Sequence, residues 1–248
     1  MVGKIIQLNR QPIGFGDRPD TLEPQMFDSE LPVQHTHLYH EDDDLGLYVG
    51  VWDTTSMTET AGAYPCDEFM WLIEGQAKIE NSETGESEVV RAGEAFVIPR
   101  GYRCRWRQSG YLRKFFVILE PTSVVIPDAP VVTGIVKPAV SGTKVSAEAF
   151  PLFGATAEHQ PIANCASYMD VTGRFGASSW TGLPFSSEAM ATVVHAFVCL
   201  LEGSLSIVEG DNQRRDFGPG DAFFVPAGTV CSCSAKQQIH LCYATISV

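Results

Sequence analysis

The strongest constraint in this sequence is that it repeats itself. Leu72-Ile-Glu-Gly75 returns as Leu200-Leu-Glu-Gly203, 128 residues later, and Trp52 returns as Trp180 at the same offset. Gly93-Glu-Ala-Phe-Val-Ile-Pro-Arg-Gly101 returns as Gly220-Asp-Ala-Phe-Phe-Val-Pro-Ala-Gly228 at an offset of 127. Three landmarks in one order at nearly one spacing mark a tandem duplication, and a duplicated chain folds as two like modules. A length of 248 residues gives each copy enough chain for a hydrophobic core of its own.

Within each copy the local signals are β. Phe69–Ile73, Phe115–Leu119, Phe197–Leu201 and Ala222–Val225 are short, apolar and rich in aromatic or β-branched residues. Gly-Glu and Gly-Asp pairs, Pro-Arg-Gly and Pro-Ala-Gly interrupt them at short intervals. No sustained 3.6-residue periodicity competes with this pattern, so an all-β chain with few short helices is predicted. Many short strands in a module of this size suggest a sandwich or jelly-roll barrel. The prolines at 121, 127, 130 and 138 punctuate the stretch between the copies. The expected organisation is therefore a barrel over 1–120, a linker over 121–142 and a second barrel over 143–248.

Charge narrows the partners. The formal net charge of −13 disfavours nucleic acid and anionic lipid. No apolar run approaches the ~20 residues that cross a bilayer, and the opening residues lack a secretory signal pattern. A cytoplasmic protein is expected, bound to neither membrane nor nucleic acid. The seven cysteines have no disulfide-scaffold spacing and are read as reduced thiols. A basic cluster (Arg100, Arg103, Arg105, Arg107, Arg113, Lys114) and an acidic run (Glu41 to Asp44) form two solvated faces, or else meet within a subunit or across a homodimer, the expected assembly.

The repeated elements resemble the two cupin motifs. Gly93, Pro99 and Gly101 fit the second motif, as do Gly220, Pro226 and Gly228; Glu68 and Gly75 fit the end of the first. Trp52-Asp-Thr-Thr, Asp67-Glu68 and Trp106 are most similar to the ureidoglycine-aminohydrolase and ethanolamine-utilisation type of cupin. The resemblance implies two tandem cupin jelly-roll barrels. It also implies a metal held by paired histidines before the glutamate and a third after Pro-x-Gly, and here the sequence departs. The early slots hold Gly62 and Tyr64, or Ala61 and Ala63, and the late slot holds Cys104. In the second copy Ala196 replaces the glutamate and Cys231 fills the late slot. A first-row metal bound in the usual way is not expected.

Strand alternation then proposes a site in the first barrel. If Glu68 faces inward, as its motif slot implies, Cys66 shares its direction. Cys104 and Trp106 share a face on another strand, with Tyr64 and Trp52 at the rim and Lys114 as a nearby cation. A carboxylate among aromatic and sulfur groups can serve as general acid or base for a small polar metabolite. The expectation is a metal-independent isomerase, lyase or hydrolase working through Glu68. Its alternative is a non-catalytic metabolite-binding or regulatory module, in which Glu68 is a structural acid bonded to backbone or to Lys114. Cys104 is weighed as a nucleophile against a small buried hydrophobe. The expected cofactor is none, with zinc on Cys231, Cys233, His195 and His240 as the alternative. His35-Thr-His37-Leu-Tyr-His40-Glu41 spells the first cupin motif, but the strand and glycine do not follow it. Residues 35–44 are read as a polar loop without a catalytic role.

Overall fold

The computed structural model describes residues 3–120, 134–138, 167–182 and 184–247. It divides into two compact units, Asn9–Lys137 and Met1–Leu8 with Pro138–Val248. Each unit is an antiparallel barrel of two facing sheets. In the first unit one five-stranded sheet runs in the order Gln34–Asp42, Leu47–Thr54, Leu112–Leu119, Asp67–Glu74, Ala95–Ile98. The facing sheet runs Met57–Thr58, Arg103–Gln108, Gln76–Asn81, Ser87–Arg91, with Gly62–Ala63 also paired to Arg103–Gln108. The second unit repeats this plan with His195–Glu202, Ile239–Ile246 and Phe175–Gly182 in one sheet and Val230–Ala235 and Leu205–Glu209 in the other. Among the described residues the only helix is a single 3-10 turn at Pro24–Met26. No helix is long and apolar enough to cross a membrane, which says nothing about spanning strands.

Two strand grammars build each barrel. Asp67–Glu74 is buried on both faces: Met70 and Leu72 fill the barrel while Phe69 and Trp71 are covered on the other side. A strand covered on both sides reads as a continuous apolar run. Arg103–Gln108 alternates instead, with Cys104 and Trp106 turned into the barrel core and Arg103 and Arg107 exposed. Phe96, Met70, Leu72 and Ile98 are fully buried in that core, and truncating Phe96 to alanine would cost about 3–5 kcal/mol.

The glycines of the first motif are required by close approach. Gly75 has φ +82°, and a Cβ there would sit 2.4 Å from the Tyr111 carbonyl oxygen. Its repeat Gly203 has φ +81° and would meet the Gln238 carbonyl oxygen at 2.5 Å. A side chain would have to tolerate both the left-handed backbone and the clash.

Three expectations need correction. The segment Gln34–Asp42 is a strand, not a loop: it forms a hairpin with Leu47–Thr54, with a register shift between Leu38 and His40. It lies at the edge of its sheet, where the outer side meets solvent and a polar sequence is tolerated. The first residues do not belong to the first barrel. Ile6–Leu8 pairs with Ala222–Phe224, extending a sheet of the second unit. Conversely Val136, in the expected linker, exchanges backbone hydrogen bonds with Val97 of the first unit at 2.8 and 2.9 Å. Phe224 and Val97 are repeat equivalents, so each barrel's edge is capped by the segment that leads into the other copy. Residues 121–133 and 139–142 of the expected linker lie outside the described residues.

The basic strand finds its partners inside its own unit. Arg103 pairs with Glu83 at 3.3 Å, Arg105 with Asp28 at 3.5 Å and Arg107 with Glu80 at 3.2 Å. The acidic run is used locally, Asp43 accepting from the Tyr48 hydroxyl at 2.9 Å.

Candidate functional site

Four strands deliver side chains to one place in the first barrel. Glu68 stands opposite Ile98 and Ile118, and Lys114 opposite Trp52 and Leu72. The Lys114 ammonium donates to Glu68 Oε1 at 2.8 Å and lies 3.1 Å from Met70 Sδ. It also sits over the rings of Trp52 at 4.8 Å and Trp106 at 5.1 Å, a cation held against two aromatic faces. The two indoles meet edge to face at 6.4 Å. Tyr64 donates its hydroxyl to the other oxygen of Glu68. Trp106 donates its ring N–H to Gln108 at 2.8 Å, which fixes the ring. Glu68 and Lys114 are 3% and 7% exposed, whereas Trp52 and Tyr64 are half-buried.

All the residues named from the sequence except the two thiols thus join one contact network. Cys66 and Cys104 are buried beside it. Burial, followed by the charge of Glu68, pushes the Cys66 thiol up. Burial, followed by the charge of Glu59, pushes the Cys104 thiol up to about 12. A thiol so weakly acidic supplies little thiolate at neutral pH, which favours the reading of Cys104 as a small buried hydrophobe over that of a nucleophile. Burial also raises the Tyr64 phenol well above its ordinary value, with Glu68 adding to it.

One member was not legible beforehand. Glu59 follows the inward-facing Met57 by two residues and donates its backbone N–H to the Trp106 carbonyl at 2.9 Å. Burial drives its carboxyl up to about 7, with Lys114 opposing and Glu68 reinforcing the shift. The segment Thr54–Tyr64 looks like a polar turn, and the only sequence signal was the Met57/Glu59 alternation across a two-residue strand.

Among the described residues the second barrel carries none of this chemistry. Its register places Leu241 opposite Trp180 and Cys233 opposite Ile207, as Lys114 stands opposite Trp52 and Trp106 opposite Ile79. Ala196 replaces Glu68, Thr192 replaces Tyr64 and Ser187 replaces Glu59, each read from equivalent backbone pairing. Ala196, Val198, Cys231, Cys233 and Leu241 form part of a packed apolar cluster.

The donor set does not fit a cupin metal. The carboxylate is paired with an ammonium, the early position is a phenol bonded to that carboxylate, and the late position is a buried thiol where the motif has a histidine. A divalent cation needs lone pairs that these groups have already committed or do not offer. For zinc in the second barrel, Cys231 and Cys233 face the core, whereas His195 stacks on Phe224 at 5.8 Å and accepts from the Ala227 N–H at 3.2 Å. Among the described residues no three His, Cys, Asp or Glu side chains are grouped to hold a metal. On the edge strand, His35 is engaged by Asp53 at 2.7 Å and His37 packs against Tyr39.

Comparison with known proteins agrees with the architecture. Residues 43–116 match the EutQ-like cupin domain family. The fold is a tandem pair of cupin barrels. A solved protein of unknown function of the DUF861 family from Pseudomonas syringae superposes with TM-score 0.69 at 18% identity, over 98% of this chain and 99% of its own. Ylba from E. coli, also DUF861, gives 0.58 at 12% over 99% and 93%. A cupin 2 conserved barrel protein from Leptotrichia buccalis gives 0.55 at 12% over 89% and 91%. These identities establish the fold alone. No curated protein matches the chain.

Proposed function

We propose that the first barrel binds a small polar metabolite and promotes metal-independent proton transfer on it, of the isomerase, lyase or hydrolase kind. The observation that carries this reading is the chain Tyr64–Glu68–Lys114 set beneath Trp52 and Trp106 in one barrel and replaced by Thr192, Ala196 and Leu241 in the other. Ligand sites combine an aromatic wall with a few placed polar groups, and only the first barrel has both. Glu68 is too buried to touch a ligand directly, so its proton traffic runs through the half-buried Tyr64 hydroxyl. Lys114 holds the carboxylate in place and balances its charge.

A second reading is recognition without turnover. It is favoured by the fact that both Glu68 oxygens are already engaged and neutralised by a fixed ion pair. Native mass spectrometry of the purified protein identifies a retained metabolite, and its melting shift is then measured on variants. Trp106→Ala is expected to weaken binding in both readings. Glu68→Gln is expected to abolish turnover with the fold intact in the first reading only. Cys231→Ser is expected to change little. A shift lost on Cys231→Ser but kept by Glu68→Gln and Trp106→Ala would assign the site to the second barrel.

A further inference from the structure

Glu59 is not used by the chain just described. Its backbone is pinned twice, by the bond to Trp106 and by a bridge to Phe27, and its half-buried side chain lies just past the strand Met57–Thr58. Among the described residues its carboxylate has no hydrogen-bond or ion-pair partner. The one cation close by is spoken for: Lys114 donates to Glu68 and is boxed by Trp52 and Trp106. The groups facing Glu59 are Lys114 from Leu112–Leu119, Glu68 from Asp67–Glu74, Cys104 from Arg103–Gln108, and Tyr64. Lys114 and Glu68 cancel, and the phenol and thiol stay neutral. An ionised Glu59 therefore leaves this part of the barrel with one negative charge in excess, next to the strand that carries Trp106.

We propose that Glu59 is the anchor for a cationic group, and that the first barrel takes a small organic ammonium with its charge at Glu59 and its carbon skeleton against the indoles. This rests on the reading that the first barrel is the ligand site. A carboxylate and an aromatic face are the two elements that attract ammonium groups. An anion would meet Glu59 and Glu68 with the ammonium of Lys114 already committed. The second barrel supplies a contrast: Ser187, in the place of Glu59, accepts the Cys233 N–H at 2.9 Å and contributes only to structure.

Binding should also be linked to pH. Burial holds the empty Glu59 carboxyl up to about 7, against Lys114 and with Glu68. A bound cation favours the ionised form, so binding releases a proton at neutral pH and strengthens as pH rises through 7. With only about a tenth of Glu59 ionised at pH 6, apparent affinity there is about tenfold weaker than at pH 8.

The test is thermal melting of the full chain with ethylammonium chloride, tetramethylammonium chloride or sodium acetate, each against sodium chloride at equal ionic strength, at pH 6 and pH 8. The ammonium salts are expected to raise the melting temperature at pH 8 and to need about tenfold more probe at pH 6. The shift should vanish in Glu59→Gln, shrink in Trp106→Ala and persist in Cys231→Ser. Absence of an ammonium shift in the unmodified protein at pH 8, or its survival in Glu59→Gln, overturns the proposal. A larger response to acetate that Trp106→Ala removes also overturns it, while leaving the first barrel as the site. An ammonium shift lost on Cys231→Ser instead would sink the choice of barrel as well.

Discussion

Replacing Lys114 by leucine puts into the first barrel the residue that the second barrel has at Leu241. Glu68 and Lys114 are 3% and 7% exposed with 2.8 Å between charged atoms. At that separation their attraction is roughly 6 kcal/mol in an effective dielectric of about 20, and it offsets the cost of taking both ions out of water. Lys114→Leu removes the attraction and leaves a buried carboxylate with only the Tyr64 hydroxyl bonded to it. The expected loss is about 3–5 kcal/mol, the typical cost of orphaning one member of a buried pair. Removing both charges in Glu68→Ala/Lys114→Leu recreates the Ala196 and Leu241 pair that packs in the other apolar cluster. The double variant should fall within about 2 kcal/mol of the starting protein, because swapping a buried ion pair for apolar groups is often nearly neutral. Urea unfolding followed by tryptophan fluorescence measures this. Trp52, Trp71 and Trp106 all lie in the first unit, so the signal reports chiefly on that barrel. The single loss should be smaller at pH 5 than at pH 8, since protonation removes the stranded charge. A Lys114→Leu loss under about 1 kcal/mol, or a double variant as unstable as the sum of its singles, would refute the description of the pair as a mutually dependent buried unit.

Glu59 gives a pH effect of defined sign. Its folded pKa of about 7 exceeds the ordinary 4.5, so the folded state holds the extra proton between those values and stability falls as pH rises from about 4.5 to 7. Glu59→Gln should flatten that window and raise stability at pH 8 by roughly 2–4 kcal/mol, read by melts across the range; a variant no more stable at pH 8 would contradict the burial argument. Gly75→Ala should cost clearly more than Gly93→Ala: both have positive φ, but only Gly75 has a carbonyl 2.4 Å from the new Cβ. Equal losses in urea would mean the clash relaxes. Metal analysis of protein purified without a histidine tag should find well under one equivalent of manganese, iron, nickel or zinc. Stoichiometric metal that survives dialysis but not Glu68→Ala would overturn the donor-set argument, and loss on His35→Ala or His37→Ala would place a site on the edge strand. Light scattering at low and moderate salt should find a homodimer; a monomer in both would remove that expectation.

The recurring Leu-x-Glu-Gly and Gly-x5-Pro-x-Gly elements were enough for the two barrels, because their glycines take positive φ, which few other residues adopt, and those of the first element also lie against a neighbouring backbone. Glu68, Trp106 and Lys114 could be named because they sit on regular strands, where a period of two assigns faces, and Tyr64 because it fills an early slot of the first motif. The period was too short to guide at residues 54–63, where the strands are two residues long, and Glu59 was missed there. It also misled at Gln34–Asp42: a polar sequence suggested a loop, yet an edge strand satisfies its backbone on one side only and can carry such residues.

The linear sequence determined the duplication, the β class and the absence of histidines from the motif slots, all of which depend on residue identity at fixed spacing. Tertiary structure alone decided that the chain's first strand completes a sheet of the second unit while Val136 caps the first. It also decided that Lys114 is consumed by Glu68 and two indoles, which leaves Glu59 without a partner among the described residues. Both facts depend on which backbones and charges approach from distant parts of the chain, as Lys114 and Glu68 do at a separation of 46. Contacts that distant carry no periodic signal, and the burial that shifts a carboxyl's acidity exists only once the barrel has closed around it.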